Sequence, residues 1–164
     1  MRPDTTEETF VPSWWLPEGH SQTLWRKFAG AETVEHVRNR VELEDGDFID
    51  VDLLSASQVD VAGQRALVVL LHGLCGSSSS SYILSLQRHL SKEGYSSIAM
   101  NFRGCSGDLN RRGRAYDSGV SDDLQEVLNA VIETFNPDAI SLVGYSLGAN
   151  AVSYTHLRAH ETLR

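Results

Sequence analysis

The sequence predicts an α/β protein in which buried strands of a mostly parallel sheet alternate with amphipathic helices. Two observations predict this class. The apolar run Ala66 to Leu71 has the length and composition of a strand buried on both faces. Behind it, apolar residues recur at helical spacing until Gly94, and the same alternation continues along the chain. Sheets of this kind have helices on both faces and place their chemistry at the carboxyl ends of the strands.

The elements before this strand form a cap and a hairpin. Residues 1–30 are an N-terminal cap segment, rich in tryptophan, with a short helix from Ser21 to Ala29 that Gly30 ends. Arg40 to Leu54 is predicted as two short strands, because apolar residues alternate on either side of the turn signal Asp45-Gly46.

The elements after this strand complete the pattern. A helix is predicted over Tyr82 to Leu90, a second buried strand over Ser96 to Phe102, a helix from Ser121 to Phe135 and a third parallel strand over Ala139 to Val143. Asn136-Pro137 ends the second of these helices, since the residue before a proline disfavours helical backbone.

Composition limits the classes of function. A chain of 164 residues suits one domain, and its net charge of -8 argues against a nucleic-acid surface. Two cysteines are too few for a disulfide framework, and no metal-ligand spacing occurs. The start lacks the features of a signal peptide, and the longest apolar run is too short to span a bilayer. We therefore expect a soluble, cytoplasmic protein with no transmembrane segment, nucleic-acid partner, cofactor or metal.

The segment Gly144-Tyr145-Ser146-Leu147-Gly148 matches G-x-S-x-G directly after the third parallel strand. Glycines at these positions allow a sharp turn that lifts a serine hydroxyl clear of the sheet before a helix begins. The pattern predicts Ser146 as a catalytic nucleophile, with the N–H of Leu147 facing the substrate oxyanion. The alternative is an ordinary turn between a strand and a helix.

The loop after the first buried strand, His72-Gly73-Leu74-Cys75-Gly76, is expected to supply the second oxyanion N–H, from Leu74. We expect His72 to orient this loop rather than to act as the base. Arg103, after the second buried strand, could contact substrate, but a structural ion pair with Asp108 or Asp117 is the favoured interpretation.

These segments resemble the YheT-like branch of the α/β-hydrolases, predicted carboxylesterases whose eukaryotic relatives include lipid-acting enzymes. The resemblance covers residues 10–151 and includes further motifs, namely Trp15 to Leu24, Asp45 to Asp47, Met100 to Gly107, Tyr116, Gly119, Asp122, Asp123 and Gly144 to Asn150. It departs from the family at Ala149, usually glycine, and at Asp117, commonly histidine.

The resemblance implies an α/β-hydrolase fold truncated after the nucleophile elbow, with about five of about eight strands, and a triad in the order Ser, Asp, His. Only His156 and His160 follow Ser146, and Glu161 is the one carboxylate side chain after it. The segment Val152 to Thr162 resembles the in-frame translation of a sequencing adapter, so we expect residues 31–151 to be hydrolase domain and 152–164 a non-native tail. The alternative is a natural helix whose two histidines bind a metal.

The resemblance implies a full-length serine hydrolase that acts on small-molecule or lipid carboxylic esters, while the printed fragment lacks the triad acid and base. Two alternatives remain open: a non-catalytic domain that binds an acyl compound through the same pocket, and an acyltransferase on the same fold. The family places further strands outside Ala139 to Val143, so the printed chain is expected to aggregate through that edge.

Overall fold

A computed structural model of the chain describes residues 10–28, 34–56, 66–113 and 121–161. The chain divides into two compact units, Met1–Ala31 and Glu32–Arg164. In the first unit, helix α1 spans Gly19–Phe28, and the rings of Trp15 and Trp25 pack edge to face at 4.8 Å. The helix begins two residues before the predicted Ser21, because the Gln22 N–H already bonds to the carbonyl of Glu18. The predicted end of this helix at Ala29 and Gly30 lies outside the described residues.

The predicted hairpin is present in the second unit. Strands β1 (Val37–Glu42) and β2 (Phe48–Leu54) pair antiparallel, and Gly46 has a φ of 83° in the turn between them. β1 begins three residues earlier than predicted, at Val37, although its residues there are polar or exposed. Pairing with the buried β2 extends this edge strand further than its own apolar pattern indicates.

Three parallel strands form the other half of the sheet: β3 (Ala66–Leu71), β4 (Ser96–Met100) and β5 (Ala139–Gly144). The strand order is β1-β2-β4-β3-β5, and β2 joins β4 in an antiparallel arrangement. The sheet is therefore mixed, with its parallel part carrying the predicted site. β5 lies at one edge, half-buried, with β3 as its neighbour among the described strands.

The helices of the second unit are α2 (Ser81–Lys92), α3 (Ser121–Phe135) and α4 (Leu147–Glu161). α3 has the predicted bounds, and Asn136 after it adopts a φ of 44°. α4 runs through most of the predicted tail, since Val152 to Glu161 are helical. Within the described part of the chain, no helix is long and apolar enough to cross a bilayer.

The core lies on both faces of the sheet, because alternate residues of β3 point to opposite sides. Val69 and Leu71 pack with the apolar stripe of α3, whereas Val68 and Leu70 pack against α2. Burial on two faces explains why β3 reads as a continuous apolar run rather than as an alternating one.

Candidate active site

A sharp turn carries Ser146 between β5 and α4. Ser146 is exposed and has a φ of 52°, a backbone conformation that residues other than glycine seldom adopt. The Tyr145 N–H bonds to the carbonyl of Leu71 at 3.0 Å, and the Gly148 N–H bonds back to Tyr145 at 2.9 Å. These bonds fix the turn to the end of β3 and direct the serine away from the sheet.

The glycines on either side of Ser146 are required by space. A methyl group on Gly144 would meet the amide nitrogen of Ala149 at 2.4 Å. One on Gly148 would lie 2.6 Å from the carbonyl oxygen of Leu71 and 2.7 Å from that of His72. All three neighbours are backbone atoms, so no rotamer change can relieve the overlap. The turn therefore has room for G-x-S-x-G and for no larger residue at either glycine.

The β3–α2 loop, residues 72–80, lies beside this turn. A methyl group on Gly73 would come within 3.3 Å of the Ser146 β-carbon, so the two segments are in close contact. Gly73 to Gly76 form a tight turn, closed by a 3.0 Å hydrogen bond from the Gly76 N–H to the Gly73 carbonyl. Leu74 occupies the turn with 71% of its surface exposed, and Cys75 follows with a φ of 55°.

Tyr82 of α2 contacts both this loop and the turn that carries Ser146. Its hydroxyl oxygen accepts a hydrogen bond from the Gly73 N–H at 3.0 Å, and its ring packs against Tyr145 with centroids 4.7 Å apart. The N–H groups of Gly73 and Gly76 thus already have acceptors, the Tyr82 hydroxyl and the Gly73 carbonyl. Leu74, the predicted donor to a substrate, lies between these two glycines in the chain. The sequence shows Tyr82 only as part of a helical apolar stripe, and nothing in its spacing reveals the contact.

His72 is fully buried, and both ring nitrogens are engaged. Nε2 accepts the Phe102 N–H at 3.1 Å, so Nδ1 bears the proton and donates to the Gly73 carbonyl at 2.7 Å. Burial lowers the pKa of His72 below its ordinary value, since charging the ring would cost solvation. The neutral ring thus ties the start of the β3–α2 loop to the end of β4.

Arg103 forms a structural ion-pair cluster, as favoured, but with different partners from those predicted. It binds Asp123 through two hydrogen bonds of 2.7 Å and reaches Asp45 at 2.8 Å and Asp47 at 3.0 Å. We call these four residues the Arg103 cluster. It ties the hairpin turn to α3.

The predicted pairing of Arg103 with Asp108 is wrong, because Asp108 instead pairs with Arg40. Asp117, the other predicted partner, lies outside the described residues. Arg103 is 3% exposed, and its position within the cluster leaves the guanidinium in a structural role.

Asp47 shows how the Arg103 cluster is stabilised. Burial alone would raise the pKa of Asp47, but hydrogen bonds from the Asn110 side chain, from the N–H groups of Arg111 and Phe48, and from Arg103 lower it to about 2. The carboxylate is therefore ionised although it has no exposed surface.

A second buried polar network, not predicted from the sequence, is formed by Asp50 and Asp52 of β2 and by Asn101 after β4. Asp52 is bound by two hydrogen bonds of 2.8 Å from Arg38, and Asp50 is bound in the same way by Arg40. The position of the two aspartates could have been predicted, because side chains alternate along β2 and both aspartates lie on the face opposite Ile49 and Val51. Predicting the arginine partners required the hairpin register.

Metal ligands and disulfides are absent from the described part of the chain. No three histidine, cysteine or carboxylate side chains there are arranged to hold a metal ion. Cys75 is exposed and Cys105 half-buried, and neither forms a disulfide. The side chains of His156 and His160 lie outside the description.

Comparisons with known proteins decide the family. The sequence model of the alpha/beta hydrolase fold family matches residues 66–161, which include every element from β3 to α4. The chain belongs to the alpha/beta hydrolase family. Within it, the chain is similar to YheT of Escherichia coli (strain K12), named an esterase, with 36% identity over 88% of this chain and 42% of that protein. The predicted resemblance to YheT-like hydrolases is thus confirmed.

Other relatives of this chain extend the comparison. Phospholipase ABHD3 of Homo sapiens is 34% identical over 86% of this chain and 36% of its own length. The chain therefore spans less than half the length of these curated relatives. A lidless a/b serine hydrolase from Xanthomonas campestris matches with a TM-score of 0.59 and 26% identity, over 82% of this chain and 59% of that one. An alpha-beta serine hydrolase homologue from Coxiella burnetii matches with a TM-score of 0.62 and 21% identity, over 77% and 60%.

Proposed function

We propose that the full-length protein hydrolyses carboxylic esters with Ser146 as its nucleophile. The Ser146 oxygen forms a bond to the ester carbonyl carbon, while a histidine contributed by a later part of the family's fold takes its proton. That proton passes to the alcohol oxygen as the ester C–O bond breaks, which leaves the acyl group on the Ser146 oxygen. Water, deprotonated by the same histidine, then attacks the acyl carbon, and the proton returns to the Ser146 oxygen as its bond to the acyl carbon breaks and the acid leaves. The N–H groups of Leu74 and Leu147 hold the negative oxygen of each tetrahedral intermediate.

The conformation of Ser146 is the observation that carries this proposal. Ser146 is exposed at a φ of 52°, a backbone conformation that costs energy, and the two glycines beside it cannot be enlarged. A simple turn between a strand and a helix does not need this strained conformation. Leu147 is the first residue of α4, so its N–H belongs to the set that a helix leaves without an internal partner. Gly73 lies beside Ser146, and Leu74 follows it in the same tight turn, which supports Leu74 as the second donor.

A serine-reactive fluorophosphonate tests the nucleophile directly. The full-length protein should be labelled, Ser146→Ala should not, and Ser141→Ala should be labelled like the parent, because Ser141 is an exposed serine on the adjoining strand. Labelling that survives Ser146→Ala, or a parent protein that is not labelled, would refute the assignment.

The substrate class we propose is a small-molecule or lipid ester. Two names among the relatives support the lipid option, Phospholipase ABHD3 and the Monoacylglycerol lipase ABHD2 of Danio rerio. Turnover of short-chain esters, monoacylglycerols and phospholipids by the full-length protein distinguishes the classes. Product analysis with an added alcohol should give free acid; accumulation of a new ester would indicate acyl transfer instead.

The printed 164 residues alone should not turn over esters. His72, which directly follows β3 in the loop beside the Ser146 turn, is buried with both ring nitrogens engaged, so it cannot accept the serine proton. An esterase assay on this chain beside its Ser146→Ala variant checks the prediction, and turnover that depends on Ser146 would contradict it.

A further inference from the structure

Asn101 joins β2 to the β3–α2 loop. It directly follows β4 and is 1% exposed. Its Nδ2 donates to a carboxylate oxygen of Asp52 and to the Asp50 carbonyl, each at 3.1 Å. Its Oδ1 accepts the Ser78 N–H at 2.8 Å. One side chain therefore satisfies three groups from two separate segments of the chain.

The orientation of this amide is fixed by its partners. Asp52 and the Asp50 carbonyl can only accept, so they select the NH₂ group, and the Ser78 N–H can only donate, so it selects the oxygen. Burial would raise the pKa of Asp52, but the hydrogen bonds that Arg38 and Asn101 donate to its carboxylate help to lower it overall. The ionised carboxylate makes the bond from Asn101 a charge-assisted one, which is stronger than a neutral one.

Two residues at the end of β4 thus hold the β3–α2 loop at two points. The Phe102 N–H fixes the start of the loop through His72, and Asn101 fixes its second half through Ser78. Leu74, the proposed oxyanion donor, lies between these points. A displacement of about 1 Å in such a group costs on the order of 100-fold in rate, because the donor no longer meets the developing charge.

We propose that Asn101 is a positioning residue that holds the β3–α2 loop, and with it the Leu74 N–H, against Ser146. Asp52, paired with Arg38, holds the Asn101 amide in the required orientation. This inference rests on the esterase function proposed above. It adds a residue that acts on catalysis through the position of the loop and does not contact the substrate.

The kinetic test uses Asn101→Ala in the full-length protein. The substitution should lower kcat about 10-fold to 100-fold and leave KM within about 2-fold, because the lost donor acts mainly on the transition state. An unchanged kcat, or a change confined to KM, would overturn the proposal.

Asn110 supplies a matched control. Its Nδ2 also donates to a carboxylate, Asp47, and to a carbonyl, Phe48, each at 2.8 Å, and its Oδ1 also accepts a backbone N–H, that of Gly104. Asn110→Ala therefore removes the same kinds of hydrogen bond at a different loop. It should leave kcat unchanged, and an equal loss of kcat in both variants would show a general structural effect and overturn the proposal.

Hydrogen exchange tests the positioning separately from catalysis. Asn101→Ala should increase amide exchange in residues 73–78 by about 10-fold or more, while β3 and β4 keep the parent's protection. Unchanged exchange in that loop would overturn the positioning role even if activity fell. Because this readout needs no turnover, it still decides the positioning role if Ser146→Ala shows that the esterase proposal is wrong.

Asp52→Asn covers the case in which Asn101→Ala does not fold. It keeps the volume of the side chain but removes the negative charge that orients the Asn101 amide. Exchange in residues 73–78 should rise and kcat should fall in the same direction as in Asn101→Ala, by a smaller factor. Unchanged exchange and unchanged kcat in Asp52→Asn would overturn the proposal.

Discussion

The elbow at Ser146 and the Arg103 cluster keep their geometry by different physical means. At the elbow, backbone atoms of three segments lie so close that Gly144 and Gly148 have no room for a methyl group. In the Arg103 cluster, one buried guanidinium is surrounded by three carboxylates. The elbow therefore depends on volume and is insensitive to charge, whereas the cluster depends on charge. Substitutions that add volume should therefore damage the elbow, whereas changes of charge or pH should damage the Arg103 cluster.

The largest effect is expected from removing the cation of the Arg103 cluster. Arg103→Ala leaves Asp47 and Asp123 buried without their positive partner, which should lower the free energy of unfolding by about 3 to 5 kcal/mol. Urea unfolding of the full-length protein measures this change. Arg111→Ala is the control, because its ion pair with Glu42 is exposed and should not shift the midpoint. Equal midpoints for the two variants would contradict the distinction.

A smaller loss of stability, with loss of the site, is expected from Gly148→Ala. The added methyl would overlap the Leu71 carbonyl at 2.6 Å, so the backbone must shift at a cost of about 1 to 3 kcal/mol. Fluorophosphonate labelling of Ser146 should fall strongly. Gly113→Ala is the matched control, since a methyl at Gly113 meets nothing within 4 Å. Should both variants label like the parent, the elbow does not depend on close backbone packing.

The smallest effect is a dependence of stability on pH, to which Asp47 of the Arg103 cluster and His72 contribute over different pH ranges. The folded-state pKa of Asp47 is about 2, below its ordinary 3.8, so its contribution to stability is complete above 3.8 and is lost as the pH falls toward 2. His72 adds an earlier decline, because its lowered pKa means that stability begins to fall below pH 6.5. Urea midpoints measured against pH should show both. Asp47→Asn should flatten only the acidic part, and an unchanged slope there would contradict the assignment.

Much of the fold could be predicted because its signals are local. Continuous apolar runs gave β3 and β5 to within one residue, and the stripe from Ser121 to Phe135 gave both ends of α3. Boundaries were wrong where an element's own residues do not decide its length. β1 begins before its apolar pattern because β2 pairs with it, and β4 stops at Met100 although Phe102 is buried.

The candidate site divides in the same way. The elbow was predictable because its requirements lie within five consecutive residues at the end of a buried strand. The supports of the β3–α2 loop were not, since Tyr82 and Asn101 reach it from another helix and another strand. His72 was predicted to orient the loop, but its partner, the Phe102 N–H, appears only when β3 and β4 lie side by side.

The sequence by itself determined the strands, the helices and the position of the serine turn, because hydrophobic periodicity and glycine sterics act over a few neighbouring residues. Only the tertiary structure decided the ionic and hydrogen-bond partners. Arg103 pairs with Asp123 rather than Asp108, and Asn101 links Asp52 to Ser78. Those pairings depend on the strand order, which brings β2 beside β4 and β4 beside β3. A sequence offers several oppositely charged residues as possible partners for a side chain such as Arg103. The packing of the strands and helices decides which of these residues lies within hydrogen-bonding distance.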